Sequence, residues 1–212
     1  MPLQNRVDPE GNICSVQARG EFMGNRGGAL HTADRRIVRT QKTRSWIICL
    51  TEFHGRHRQV MQPGRYTELF FLDEVTALSA GHRPCFECRR KDALAFAEAL
   101  GRSRGEKRLC APATDKLLAA ERKAGGSSPD RTIARITVAS LPDGTMIRQD
   151  QTHYAVRAGM LLPWSFCGYN TPVDAETLTA APVYLATPPS TVAALRHGYL
   201  PVFHSRAWRP ET

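Results

Sequence analysis

The chain has 212 residues, a length that fits one large domain or two small ones. Hydrophobic residues make up 42% of it and charged residues 23%, as in globular proteins, and it has no run of roughly 18 apolar residues, which excludes a membrane-spanning helix. Lys and Arg outnumber Asp and Glu by 29 to 20, and the resulting charge of +9 favours a polyanionic partner.

Short strands and helices are predicted in the N-terminal half. The apolar, β-branched segment 45–53 is its clearest strand, and Asp73 is a plausible N-cap for a helix that Gly81 ends. The remaining segments are weaker strands at 13–19, 36–40, 58–62 and 68–72, and helices at 74–80, 89–101 and 113–123.

The C-terminal part is predicted to be rich in β-structure. It follows a linker rich in Gly, Ser and Pro at 125–129. Its predicted elements are strands at 132–138, 145–149, 153–157, 160–166 and 183–186 and a helix at 190–197. The sequence therefore predicts an α+β fold of short antiparallel strands with a few helices. Its two parts are residues 1–126 and 130–212, unless the two pack as one domain.

A Cys-x-x-Cys turn is the sharpest local motif. Cys85 and Cys88 have the spacing of a zinc knuckle, and His54 and His57 form the best second pair, 27 residues upstream. The N-terminus has no apolar segment typical of a secretory signal, so we expect a cytoplasmic protein with free thiols or metal ligands rather than disulfides. These four residues are the predicted ligands of a Zn²⁺ ion.

Two alternatives to that ligand set remain open. A zinc ion could be held by Cys85 and Cys88 with other partners, drawn from Cys49, His82 and Cys167. The chain could also bind no metal, because a solvated basic turn would contain the same histidines.

The segment Phe70–Arg89 resembles the second half of the Ada-type metal-binding domain, the zinc module of DNA methylphosphotriester repair proteins. The match is an aromatic strand, a short helix that ends in Ala-Gly, and an Arg-Pro-Cys-x-x-Cys-Arg turn, over residues 68–90. The family's first Cys pair is absent, and His54 and His57 lie about where it should be. The resemblance therefore implies a zinc-ribbon-like fold associated with nucleic acid, with DNA favoured over RNA, but not phosphotriester repair.

Basic residues are concentrated in two segments. Segment 35–65 carries a charge of +7, and more Arg residues surround the Cys turn. The predicted phosphate contacts are Arg35, Arg36, Arg39, Arg44, Arg56, Arg58, Arg83, Arg89 and Arg90. A solvated basic surface without a ligand is the alternative interpretation.

Catalytic residues are harder to predict. His31, beside a Gly-rich loop, and His57 are weak candidates for a general base. Glu68, Asp73 and Glu74 supply acids near the Cys turn, where a carboxylate pair could bind Mg²⁺, although helix capping explains Asp73 more simply. Three functions are therefore considered: a nucleic-acid-binding zinc protein acting in DNA repair or regulation, a metal-assisted nuclease or other phosphate-chemistry enzyme, and a structural or regulatory protein with a metal-free knuckle.

Overall fold

The N-terminal half of the chain forms one mixed β-sheet in the computed structural model, which describes residues 1–55, 59–125 and 129–210. Its strands among these residues are β1 (Gln4–Val7), β2 (Ile13–Ser15), β3 (Phe22–Asn25), β4 (Ile47–Leu50), β5 (Leu69–Phe71) and β6 (Arg83–Pro84). They lie in the order β2-β1-β5-β3-β4-β6. The β1–β5 and β4–β6 pairs are parallel and the other pairs antiparallel.

The helices lie where the periodicity predicts them, within one or two residues. They are α1 (Glu74–Ser79), α2 (Arg90–Arg102), α3 (Ala111–Ala124) and α4 (Pro189–Arg196). Asp73 caps α1 by accepting a hydrogen bond from the Thr76 backbone N–H at 2.8 Å. Gly81 then ends the helix with a φ of +79°, which glycine adopts at no steric cost. None of the helices in the described ranges is long and apolar enough to cross a membrane.

A second sheet follows in the C-terminal part. Its strands in the described ranges are β7 (Thr132–Ile133), β8 (Met146–Gln149), β9 (Thr152–Arg157), β10 (Met160–Ser165), β11 (Gly168–Tyr169) and β12 (Val183–Leu185). All pairs are antiparallel, in the order β11-β10-β9-β8-β12-β7. The predicted meander of β8, β9 and β10 is confirmed, as is the α+β class of the fold.

Three predicted strands are wrong. Of segment 58–62, residues 59–62 are described, and they form a turn rather than a strand. Of segment 132–138 only β7 is extended, and a 3₁₀-helix at Arg135–Ser140 follows it. That turn buries Val138 and lets the Arg135 guanidinium donate to the Leu178 carbonyl, at the cost of exposing Ile136. Segment 36–40 is a loop with one isolated bridge from Ile37.

The main core joins the first sheet to the end of the chain. Phe71 of β5 and Phe96 of α2 lie in one cluster with Leu195 of α4 and Tyr199. The Phe96 and Tyr199 rings meet edge to face with centroids 5.2 Å apart. Burial of each such side chain contributes about 1.5–3 kcal/mol. The C-terminal helix therefore packs in the core of the first sheet, while the division at 126–130 stays a prediction.

Two buried carboxylates tie the last residues of the chain to α1. Asp73 accepts hydrogen bonds from the Tyr169 hydroxyl at 2.8 Å and from the His204 backbone N–H at 3.0 Å. Glu74 accepts from the Tyr199 hydroxyl at 2.5 Å and forms an ion pair with Arg89 at 2.9 Å. Both carboxylates are fully buried, so each depends on these donors to offset the loss of hydration.

The Glu74–Arg89 pair generates a stability prediction. Glu74→Gln should lower the free energy of unfolding by about 3 kcal/mol, because it removes the buried counter-charge of Arg89 and leaves only the partly exposed Asp92. Urea unfolding followed by circular dichroism measures the change.

Asp34→Asn is the matched control. Asp34 pairs with Arg36 at 2.7 Å, but both side chains are more than half exposed. Water already solvates these charges, so the unfolding midpoint should hardly move. Equal losses in the two variants would contradict the importance assigned to the buried pair.

Candidate metal centre

Three cysteines from two parts of the sheet meet at one point. One sulfur from each of Cys49, Cys85 and Cys88 lies within 4.8 Å of the other two. The parallel pairing of β4 with β6 sets Ile48 opposite Pro84, and the Cys85 N–H donates to the Ile48 carbonyl at 2.9 Å. Cys49 therefore lies beside the start of the Cys-x-x-Cys turn, although it is 36 positions from Cys85 in the chain.

The turn itself has the hydrogen bonding of a metal knuckle. The Glu87 backbone N–H donates to the Cys85 sulfur at 3.3 Å, and the Cys88 N–H also points to that sulfur. The Leu50 backbone N–H donates to the Cys88 sulfur in the same way. Such donors favour thiolate over thiol and orient the sulfurs before any ion binds.

The thiols respond differently to their surroundings. Donation from Cys49, and then from the backbone N–H groups of Cys88 and Glu87, lowers the pKa of Cys85 below that of a free thiol. The hydrogen bond to Cys85, together with burial, raises the pKa of Cys49. Among the three clustered thiols, the surroundings therefore favour the thiolate form at Cys85.

The three sulfurs fit a soft metal ion. Tetrahedral zinc with Zn–S bonds of about 2.3 Å needs sulfurs about 3.8 Å apart, so small side-chain rotations from the present separation suffice. Thiolates select zinc, copper(I) or iron–sulfur groups over hard cations. The cysteines can thus hold a metal ion and supply three of its ligands.

Arg89 directly follows Cys88 and precedes α2, and its side chain anchors the Cys-x-x-Cys turn to the protein interior. Its guanidinium donates to Glu74 at 2.9 Å and to Asp92 at 2.9 Å, and only 2% of its side chain is exposed. Arg83, at the other end of the turn, forms a buried two-point contact with Asp115 at 2.8 and 3.0 Å. The prediction that Arg83 and Arg89 contact phosphate is therefore wrong, because internal carboxylates occupy both groups.

Of the two predicted histidine ligands, the structure describes only His54. His54 is exposed, with its ring against Phe53 at 4.0 Å, and is not one of the three mutually close groups. His57 lies outside the described residues, as do Arg56 and Arg58. The histidine pair thus stays a prediction for this site.

Of the alternative candidates Cys49, His82 and Cys167, Cys49 is the one that lies beside Cys85 and Cys88. The two other alternative ligands lie elsewhere. His82 is fully buried between Trp46 and Phe71 and faces Arg26, and Cys167 is an exposed residue of the β10–β11 turn.

The imidazole ring of His31, the first candidate general base, is hydrogen-bonded within the protein. Its Nδ1 lies 2.6 Å from the Thr67 hydroxyl and its Nε2 lies 3.2 Å from the Gln62 carbonyl. Both ring nitrogens thus have internal partners, and the side chain is only 7% exposed. This geometry assigns His31 to packing of the 28–38 loop rather than to proton transfer.

A cavity of about 270 Å³ opens over the cysteines. All three line it, together with apolar side chains such as Met23, Phe53 and Phe70. Its remaining polar side chains include Asn25, Glu68 and Glu87. Among the described lining residues none is Arg, Lys or His, and the charged ones are Glu68 and Glu87.

The basic residues instead form a second feature, which we call the basic groove. It has a volume of about 490 Å³ and lies between the 40–46 loop and α3, with Arg44, Lys116, Arg122 and Lys123 along it. Arg122 stacks on Trp46 at 4.1 Å and donates to the Arg44 carbonyl at 2.8 Å, which fixes one wall. Burial lowers the pKa of Arg122 to about 10, so the group remains charged at neutral pH.

The other predicted phosphate contacts are distributed over the surface. Arg36, Arg39, Arg44 and Arg90 are exposed, and Arg35 is half-buried. Only Arg44 of these lies in the basic groove. Lys116 and Lys123 were not predicted, although their seven-residue spacing on a helix puts them on one face.

Comparison of the chain with known protein families, with curated proteins and with solved structures found no match. The resemblance of segment 68–90 to the Ada-type domain therefore stays a prediction from its motif.

Metal content tests the site directly. Cys49→Ser should lower bound zinc from about one ion per chain by as much as Cys85→Ser or Cys88→Ser does, because all three sulfurs would share one ion. Elemental analysis of protein purified in the presence of zinc gives the stoichiometry. Cys167→Ser removes an exposed thiol outside the cluster and should keep full occupancy. Full occupancy in Cys49→Ser would remove that residue from the ligand set.

Proposed function

We propose that this chain is a nucleic-acid-binding zinc protein. The observation that carries the proposal is the meeting of Cys49, Cys85 and Cys88 around one point, with backbone N–H groups already directed at two of the sulfurs. Zinc is the ion that most often combines thiolate ligands with tetrahedral geometry. It would tie the edge strand β6 and the following turn to β4.

A tetrahedral ion needs a fourth ligand in addition to the three cysteines. His54 and His57 are the protein candidates, since both follow β4 closely in the sequence and the neighbouring Phe53 lines the cavity. A water or another small molecule is the alternative, because the ion would face the cavity.

The basic groove supports the nucleic-acid part of the proposal. Arg44, Lys116, Arg122 and Lys123 put four positive charges along one channel, and no acidic residue lines it among the described ones. Lys123 and Arg122 also lie in the last turn of α3, where the helix dipole favours cations and adds no attraction for phosphate. The affinity for phosphate would thus come from the side chains themselves, as in non-specific nucleic-acid binding.

DNA is the proposed polymer, because the motif around Cys85 and Cys88 resembles that of a DNA repair module. The described lining of the cavity over the metal centre includes two carboxylates and no Arg, Lys or His, a composition that does not favour a phosphodiester, so the metal would have a structural part in this function. This separation of metal and phosphate argues against a metal-assisted nuclease at the cysteines.

Salt dependence of binding to duplex DNA tests the proposal. Affinity should fall steeply with salt concentration, and Lys116→Ala/Lys123→Ala should reduce the slope of log affinity against log salt by about 2, one for each lost phosphate contact. Fluorescence anisotropy of a labelled duplex measures both quantities.

Arg104→Ala/Lys107→Ala is the control for the loss of two charges. Both residues are exposed on the loop after α2, outside the basic groove. This variant should keep the wild-type slope. An affinity that does not change with salt would contradict nucleic-acid binding, and equal slopes in the two double variants would contradict the assignment of the groove.

A further inference from the structure

Cys49 and Cys85 occupy neighbouring positions on paired strands. Ile48 lies opposite Pro84 in the parallel pairing of β4 with β6, so the next pair in this register is Cys49 with Cys85. Neighbouring strands lie about 4.8 Å apart, which is inside the Cα separation of about 4.4–6.8 Å that a disulfide spans. These two cysteines can therefore be joined without movement of the backbone.

The two side chains also point to the same side of the sheet. Both line the cavity over the cysteines, and their sulfurs lie within 4.8 Å of each other. The Cys49 thiol donates to the Cys85 sulfur. Because a disulfide needs sulfurs about 2.05 Å apart, one of the side chains must rotate toward the other to form it.

Cys49 is the side chain that can rotate at the lowest cost. The Cys85 sulfur accepts from the backbone N–H groups of Glu87 and Cys88, and the Cys88 sulfur accepts from that of Leu50. Among the described residues no backbone N–H donates to the Cys49 sulfur, whose hydrogen-bond partners are the two other thiols. A bond between Cys85 and Cys88 would move two anchored sulfurs, whereas Cys49 turns toward Cys85 without the loss of a backbone hydrogen bond.

We propose that the cysteine cluster is an oxidation site for hydroperoxides, at which Cys49 and Cys85 form an intramolecular disulfide and the bound metal ion is released. The cavity of about 270 Å³ has room for a molecule as small as hydrogen peroxide beside the sulfurs. Release of zinc rests on the proposed function, whereas formation of the disulfide needs only the thiols.

The reaction consumes one hydroperoxide for each disulfide. The first sulfur attacks one oxygen of the O–O bond and becomes a sulfenic acid, while the other oxygen takes the thiol proton and leaves as water or an alcohol. The second sulfur then attacks the sulfenic sulfur, and the hydroxyl group leaves as water with the second thiol proton. The two sulfurs lose two electrons in total, and the peroxide gains them. The product is the same whichever of the two sulfurs reacts first.

The disulfide would replace the metal ion as the link between β4 and β6. Oxidation consumes two of the three thiolate ligands, so Cys88 is left alone and the ion dissociates. The covalent bond joins the same strands, so we expect the oxidised chain to stay folded. Exchange with an external thiol reduces the disulfide and restores the cluster. The modification is thus reversible, and it links metal content to hydroperoxide.

Mass spectrometry of the oxidised protein tests the pairing. Zinc-loaded full-length protein is treated with hydrogen peroxide, the remaining thiols are alkylated, and the peptides are mapped without reduction. We expect a disulfide between Cys49 and Cys85, an alkylated Cys88, and release of one zinc ion for each disulfide. A disulfide between Cys85 and Cys88 as the main product would overturn the proposal.

Cys49→Ser and Cys88→Ser are matched variants, since each removes one thiol of the cluster. Cys88→Ser should still form the disulfide between Cys49 and Cys85. Cys49→Ser should leave Cys85 and Cys88 reduced under the same treatment, because the backbone N–H groups hold both sulfurs in place. The opposite pattern in the two variants would remove Cys49 from the reacting pair.

Oxidation of the unfolded protein in urea is the control for chance pairing. In an unfolded chain the shortest loop closes most readily, which favours Cys85 with Cys88 over Cys85 with Cys49, 36 positions away. If urea and native buffer gave the same share of the Cys49–Cys85 product, the fold would not select this pair and the proposal would be wrong.

The zinc content of the starting protein separates this proposal from the proposed function. A Cys49–Cys85 disulfide that forms in protein purified without zinc would support the oxidation site and contradict the zinc protein. Zinc-loaded protein whose three clustered thiols resist peroxide, both before and after a chelator removes the ion, would overturn the oxidation site alone.

Discussion

The buried ion pair between Glu74 and Arg89 connects the parts of this structure on which the site depends. Glu74 begins α1 and also accepts from Tyr199 near the end of the chain. Arg89 follows Cys88 directly and precedes α2. Burial of a guanidinium that is only 2% exposed would cost several kcal/mol (on the order of 3–5) without such a partner. The pair therefore positions the cysteine turn, the start of α2 and the C-terminal segment together.

The two faces of the first sheet have different environments: one packs in the main core and the other lines the cavity over the cysteines. One face buries aromatic and aliphatic side chains against α1, α2 and α4, and residues of the other face, Cys49 among them, line the cavity. The positive charge of the chain lies elsewhere, along the basic groove beside α3. A polyanion bound along that groove would thus contact a surface separate from the three cysteines.

Local signals in the sequence predicted the local structure well. The Asp73 cap, the Gly81 stop and the three-strand meander need only neighbouring residues, and the structure confirms them. The meeting of Cys49 with Cys85 depends on a parallel pairing between distant segments, which no local pattern encodes. Alternation in β4 did carry one clue, since it puts Cys49 on the face opposite the core residue Ile48. The roles of Arg83 and Arg89 could not be predicted, because a basic side chain next to a knuckle looks the same whether it binds phosphate or an internal carboxylate.

The number of thiolates on one metal ion tests the central claim most directly. Cobalt(II) bound by the protein in place of zinc absorbs in the near-ultraviolet by charge transfer from each coordinated thiolate. We expect an intensity that corresponds to three thiolates per ion and that falls by about one third in Cys49→Ser, since the structure brings three sulfurs to one point. An intensity of two thiolates that is unchanged in Cys49→Ser would contradict the account and reduce the centre to the Cys85–Cys88 turn.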